Sequence, residues 1–140
     1  MFLGALKLYG ERVISRAART LNESPSPMAG IRALLDELTA GVGSQTGAMG
    51  CFMVNSIAEL VPYDHDVTEI AAAYTATLQR LLAETLTQAA LQGRVTRKQM
   101  PEQLAAYVFN AMQGIRILIK AGATREQVQA ISAIILDSLR

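Results

Sequence analysis

One helix-length segment, Gly50 to Val61 (GCFMVNSIAELV), is apolar on nearly every side. A surface helix carries one apolar stripe and one charged face, so this segment is predicted to be surrounded by other helices. Its polar side chains, Asn55, Ser56 and Glu59, must find partners or face a cavity, because a buried unpaired polar group costs about 1–3 kcal/mol. Two interpretations follow: the wall of a ligand pocket, or a core helix whose polar atoms are satisfied internally.

The rest of the sequence has the spacing of helices. Apolar residues recur at three- and four-residue intervals, and no strand-like alternation, glycine-rich phosphate loop or internal repeat is visible. We therefore predict an all-α bundle of about six helices. Their expected extents are about Phe2 to Thr20, Pro27 to Thr39, Gly50 to Val61, Asp64 to Gln92, Pro101 to Ala121, and Thr124 to the C-terminus.

Helix starts are marked by capping patterns at three places. Ser26 stands directly before a proline and is predicted to cap the second helix. Asp66 with Glu69, and Thr124 with Gln127, have the spacing of capping boxes for the fourth and sixth helices.

Length and composition limit the protein class. The 140 residues suit one domain, 1–140, and the 51% hydrophobic content exceeds what a small monomer needs for its core. This surplus indicates a buried partner surface, a cavity, or both. The net charge is +1 and the basic residues are scattered, so no face is suited to neutralising phosphates.

The sequence suggests a protein of the cytoplasm. Its single cysteine, Cys51, excludes an internal disulfide framework and suits a reducing compartment. Arg116 and Lys120 interrupt an apolar run, so no segment is long enough to span a bilayer. The start, MFLGALKLYGER, lacks the features of a signal peptide.

The last two predicted helices are apolar over a wider surface than one neighbouring layer covers. Two such helices beside their symmetry mates would form a four-helix interface, so we expect a homodimer. A glycine inside the fifth helix is explained by a close helix crossing there. The predicted interface residues are Phe109, Gly114, Ile117, Val128, Ile131, Ile135 and Leu139.

Three segments resemble the C-terminal, effector-binding and dimerisation domain of TetR-family transcriptional regulators. They are GCFMVNSIAEL with the following PYDHDV, the long helix beginning near Val67, and FNAMQGIRILIKAG with the capped last helix. The resemblance covers essentially the whole chain and implies a repressor whose operator binding is relieved by a small hydrophobic or aromatic effector. It also implies that DNA binding belongs to an N-terminal helix-turn-helix head, which this sequence does not contain.

The predicted pocket combines the polar positions of the third helix with soft apolar side chains. At helical spacing the same residues also suit a simple core. The predicted ligand-binding residues are Met49, Phe52, Met53, Asn55, Glu59, Tyr74, Leu78, Phe109 and Met112. Cys51 is either an oxidant sensor or an inert buried thiol, and the second interpretation is favoured because no adjacent base is apparent.

Catalytic and metal chemistry have little support in the sequence. His65 lies between Asp64 and Asp66, but adjacent residues at a helix start rarely converge on one ion. We therefore expect no metal and no cofactor. With one histidine, no nucleophile–base constellation can be assembled. The alternatives to an effector-binding domain are a structural dimerisation module without a ligand and, last, an enzyme on a helical bundle.

Overall fold

The computed structural model describes residues 1–45 and 51–140. Within these residues the chain is all-α, as predicted, and no described helix is long and apolar enough to cross a membrane. The six helices that they form are α1 (Phe2–Glu23), α2 (Pro27–Ala40), α3 (Phe52–Leu60), α4 (His65–Leu91), α5 (Pro101–Lys120) and α6 (Arg125–Ser138).

The bundle is arranged around α4 and not around α3. The 27-residue α4 contacts α1, α2, α3 and α5, whereas the nine-residue α3 packs mainly against α1 and α4. Met53 and Ser56 are the buried residues of α3, and Glu59 on the same helix is exposed. The prediction of an enclosed central helix is therefore wrong, because two neighbouring helices cover only part of the surface of α3.

Two apolar clusters lie along α4. The larger joins α2, the C-terminal half of α4, α5 and α6, and includes Leu35, Leu86 and Ile115. The smaller holds α1 and α3 against the N-terminal half of α4, through residues such as Leu6 and Val67. Burial of this apolar surface, worth about 25 cal/mol per Å², is the main force that holds the helices together.

Two of the predicted caps are confirmed. The Ser26 hydroxyl accepts a hydrogen bond from the backbone N–H of Ala29 at 3.1 Å, which opens α2. At α6, Thr124 Oγ1 accepts from the backbone N–H of Gln127 at 3.2 Å, and Gln127 Oε1 accepts from the Thr124 N–H at 2.8 Å. These bonds satisfy N–H groups that have no partner within the helix.

The predicted capping box of α4 is wrong, because the N-cap lies two residues before Asp66. Asp64 is the N-cap: its Oδ1 accepts hydrogen bonds from the backbone N–H groups of Asp66, at 3.0 Å, and Val67, at 3.1 Å. Asp66 consequently lies in the first turn, and Glu69 pairs instead with His65 at 3.0 Å on the exposed face. Asp64 therefore makes the capping bonds that the sequence pattern assigned to Asp66.

Three residues of the predicted dimer interface are internal. Val128, Ile135 and Leu139 are between 0% and 3% exposed and pack in the larger core cluster of their own chain. Ile135 and Leu139, predicted for the dimer interface, are instead covered within the single chain, because α6 packs against α2 as well as α5. These side chains leave no surface for a partner.

The other predicted interface residues remain accessible. Ile117 is 55% exposed, Gly114 is exposed, and Phe109 and Ile131 are half-buried. Ile134, which is not among the predicted interface residues, is 66% exposed on α6. The free apolar surface of the last two helices thus lies on a narrower face than predicted.

Candidate functional site

A cavity of about 220 Å³ lies between α1, α2, α4 and α5. Its lining residues are Tyr9, Val13, Arg16, Ala17, Leu34, Glu37, Leu38, Gly41, Ser44, Cys51, Leu78, Met112, Arg116 and Ile119. Most of the wall is formed by aliphatic side chains, and a few polar side chains lie among them. This composition is typical of a site for a small molecule.

The central polar group of the cavity is formed by residues from three parts of the chain. Tyr9 belongs to α1, Cys51 directly precedes α3, and Arg116 belongs to α5. The Tyr9 hydroxyl donates to Cys51 Sγ at 3.1 Å, and Arg116 Nη1 lies 3.8 Å from the same sulfur. Arg116 Nη1 also donates to Gln113 Oε1 at 3.3 Å. The thiol is therefore held between a phenol and a guanidinium.

Both tyrosines near this group are uncharged at neutral pH. Burial raises the pKa of Tyr9 well above its ordinary value, and the hydrogen bond to Cys51 adds to the effect. Burial also raises the pKa of Tyr74, although nearby Arg116 acts in the opposite direction. Neither phenol therefore supplies a negative charge to the guanidinium.

Arg116 is a cation in a largely apolar environment. Burial acts to lower its pKa, but the influence of Cys51, Tyr74 and Tyr9 is larger in sum, so its pKa is raised above the ordinary value. No ion pair joins Arg116 to a carboxylate of residues 1–45 or 51–140. Its charge is thus not compensated by a described acidic side chain.

Two buried hydrogen-bonding groups beside Arg116 have no partner among the described residues. They are the hydroxyl of Tyr74, whose side chain is 4% exposed, and Nε2 of Gln113. A buried unsatisfied polar atom costs about 1–3 kcal/mol, so native proteins keep few of them. Both groups lie near the partly buried guanidinium of Arg116.

The structure brings two of the nine predicted ligand-binding residues to the cavity. Leu78 on α4 and Met112 on α5 line it. Met53 and Tyr74 instead line a second cavity of about 310 Å³, between α1 and α4. Met49 lies outside the described residues.

The remaining four line neither cavity. Asn55 is half-buried and accepts a hydrogen bond from Lys120 Nζ at 3.1 Å, and Glu59 is exposed. Phe52 and Phe109 are half-buried and pack with the core clusters. The third helix is turned so that its predicted polar pair faces α5 and solvent, not the cavity.

Tyr9 and Arg116 are not among the residues predicted for the pocket. The signal for Arg116 in the sequence is an arginine between two isoleucines in an apolar helix. The sequence does not reveal the basic neighbour of Cys51, because Arg116 is 65 positions away. No pattern distinguishes Tyr9 from the other residues on its face of α1.

The described residues contain no group of three or more histidine, cysteine, aspartate or glutamate side chains suited to holding a metal ion. Asp64, His65 and Asp66 are accounted for by the cap and the ion pair at the start of α4.

The fold matches that of known transcriptional regulators. Two solved structures of cysteine mutants of the TetR family transcriptional regulator CifR, both with a 26-base-pair double-stranded operator DNA, superpose with TM-scores of 0.80 and 0.81. Each is 23% identical in sequence, and the match covers 99% or 98% of this chain and 72% of CifR. No curated protein sequence matches the chain.

A family model described as the tetracyclin repressor-like C-terminal domain matches residues 27–135, most of the chain. This match agrees with the six-helix arrangement and with the solved structures. The chain therefore belongs to the tetracyclin repressor-like C-terminal domain family of TetR-type transcriptional regulators.

Proposed function

We propose that this domain binds a small effector in the 220 Å³ cavity and thereby relieves operator binding by a TetR-like repressor. The observation that carries the proposal is the cavity itself, with aliphatic walls and a polar group at one side. A purely structural dimerisation module would be expected to fill this space with side chains, because close packing stabilises a core. In this proposal an N-terminal head contacts the DNA. The regulator acts in the cytoplasm.

We infer that the cavity connects effector binding with DNA binding. Tyr9 and Val13 of α1 form one wall, and Met112 and Arg116 of α5 form another. The family resemblance implies that α1 follows the DNA-binding head, and α5 carries part of the proposed dimer face. A ligand that prefers one arrangement of α1 against α5 therefore shifts the spacing of two heads across the dimer.

The size of the cavity limits the effector. A cavity of about 150 Å³ holds benzene, so 220 Å³ admits a molecule of about nine non-hydrogen atoms. Leu34, Leu78 and Ile119 favour an apolar or aromatic body. We propose an effector of this size, smaller than most drug-like molecules.

The proposed homodimer uses the exposed face of α5 and α6. Ile117 and Ile134 provide apolar surface, and a Cβ atom added at Gly114 would meet nothing within 4 Å in the single chain. A partner helix can therefore approach the backbone closely at Gly114.

Thermal unfolding with a panel of small aromatic and aliphatic compounds tests the effector site. A ligand at about 100 times its Kd stabilises the folded state by about 2.7 kcal/mol, which raises Tm by several degrees. Ala17→Phe, which places a ring in the cavity from α1, should abolish that rise. The matched control Ala72→Phe, at an exposed position on α4, should retain it. Equal responses of both variants would exclude this cavity as the site.

A second candidate function is sensing of electrophiles or oxidants by Cys51. The observation that favours it is the contact of Sγ with Tyr9 and with the Arg116 guanidinium, which would stabilise negative charge developing on sulfur. The Cys51 thiolate would then add to the carbon–carbon double bond of N-ethylmaleimide, with Sγ bonding one carbon and a proton going to the other, and intact mass would show one adduct that Cys51→Ser lacks. Reversible ligands that still raise the Tm of Cys51→Ser would favour the first proposal.

A further inference from the structure

The polar side of the cavity has more hydrogen-bond donors than acceptors. Arg116 has five N–H donors, and its hydrogen bonds to Gln113 Oε1 and Cys51 Sγ both use Nη1. Nε2 of Gln113 and the hydroxyl of Tyr74 are buried polar groups near Arg116 without a hydrogen bond among the described residues, although neither residue lines this cavity. A ligand that accepts several hydrogen bonds would satisfy this group.

The acidic residue of the cavity wall does not fill this role. Glu37 lines the cavity, but it is exposed, accepts a hydrogen bond from Thr20 Oγ1 at 2.7 Å, and forms no ion pair with Arg116. Arg16, also exposed, lines the same cavity and carries the opposite charge. The positive charge of Arg116 is therefore the excess charge of the cavity wall.

We infer that the effector is a small monocarboxylate with an apolar body, and that Arg116 binds its carboxylate. This inference rests on the proposed effector-binding function and specifies its ligand class. A guanidinium matches a carboxylate with two parallel N–H···O bonds, and such charge-assisted bonds are about twice as strong as neutral ones. The aliphatic walls formed by Leu34, Leu78 and Ile119 take the rest of the molecule.

The energetic reason is the cost of a partly buried charge without a counter-charge among the described residues. The carboxylate supplies the charge that the described side chains do not, so binding removes a penalty already present in the empty domain. The contact of Arg116 with Cys51 Sγ is long, at 3.8 Å, and uses Nη1, the nitrogen that also donates to Gln113. The volume of about 220 Å³ corresponds to benzoate, with about nine non-hydrogen atoms.

Calorimetric titration of the 140-residue chain with matched acid and amide pairs tests the inference. The probes are benzoate with benzamide, phenylacetate with phenylacetamide, and 3-methylbutanoate with its amide. At least one carboxylate should bind about 10- to 100-fold more tightly than its amide, because the charge-assisted bonds are lost in the amide. Arg116→Met should remove this preference, and Arg116→Lys should retain part of it.

The control variant is Arg80→Met, which removes an exposed arginine on α4 and should leave the preference unchanged. Amides that bind as tightly as the acids would overturn the carboxylate inference and leave the proposed effector site intact. Carboxylate binding that Arg116→Met does not weaken would also overturn it. If all three carboxylates fail to bind, the inference is rejected, and the wider compound panel with Ala17→Phe decides separately on the effector site.

Discussion

At the scale of single residues, Tyr74 has a buried hydroxyl without a described partner and a phenol that resists ionisation. Tyr74→Phe removes the unsatisfied hydroxyl and should leave the free energy of unfolding at pH 7 unchanged or raise it by about 1 kcal/mol. Guanidinium chloride titration provides the measurement. A loss of more than about 1 kcal/mol would show that the hydroxyl makes a stabilising bond.

The raised pKa of Tyr74 predicts that the stability of the fold depends on pH. Because the pKa of Tyr74 is raised in the folded chain above its ordinary value of 10.0, the folded state holds this proton more tightly than the unfolded state. Its contribution to stability is complete below pH 10 and is lost as the pH rises through the folded-state pKa. Tyr74→Phe should therefore lose less stability between pH 9 and 11 than the parent, while Tyr63→Phe, at an exposed position, should behave like the parent.

Gly30 is required by the close approach of α1 and α2. A Cβ atom there would lie 3.1 Å from Leu21 Cδ2 and 3.3 Å from Leu21 Cα, which is backbone and cannot easily move. Gly30→Leu should destabilise the fold by about 1–3 kcal/mol through overpacking. Gly4→Leu, the same substitution at an open helical position, should be neutral or slightly stabilising in the same denaturation experiment. Similar losses in both variants would contradict the packing explanation.

At the scale of elements, Asp64 and Asp66 distinguish the observed cap of α4 from the one expected from sequence. Asp64→Ala removes the acceptor of two backbone N–H bonds and should cost about 1–2 kcal/mol of unfolding free energy. Asp66→Ala removes only a first-turn charge and should cost less than about 1 kcal/mol. Urea denaturation at constant pH compares the two. A larger loss in Asp66→Ala would restore the capping box predicted from the sequence.

At the scale of the whole molecule, the proposed dimer depends on the exposed apolar face of α5 and α6. Ile134→Glu and Ile117→Glu each place a charge at the proposed interface, where desolvation costs several kcal/mol per ion. Sedimentation at micromolar concentration should show about twice 15.1 kDa for the parent and 15.1 kDa for these variants. Because both side chains are exposed in the single chain, helical content should not change.

Leu91→Glu provides the control for the dimer, because Leu91 is exposed at the end of α4, a helix that is not part of the proposed interface. This variant should sediment like the parent. A parent that sediments as a monomer, or charged variants that remain dimeric, would exclude the proposed interface. Ile135 is unsuitable for this test, because it is buried in the chain's own core and its replacement would unfold the domain.

The amino-acid sequence by itself determined the local features of this protein. Helical periodicity and the caps at Ser26 and Thr124 depend on residues only a few positions apart. The surplus of apolar residues is a property of the composition alone. Such features need no knowledge of which helices become neighbours. The all-α bundle and its family resemblance were therefore predictable, as was the beginning of α4; only its capping residue was wrongly assigned, to Asp66 and not to Asp64.

The tertiary structure decided which surfaces meet. Only the packing of α2 against α6 explains why Ile135 and Leu139 are internal, since their spacing is equally suited to a dimer face. Only the packing of α1, α4 and α5 brings Tyr9, Cys51 and Arg116 together around a cavity, across 65 sequence positions in the case of the thiol and the guanidinium. Periodicity shows that a face is apolar, but the position of its neighbours decides whether that face forms a core, an interface or a binding site.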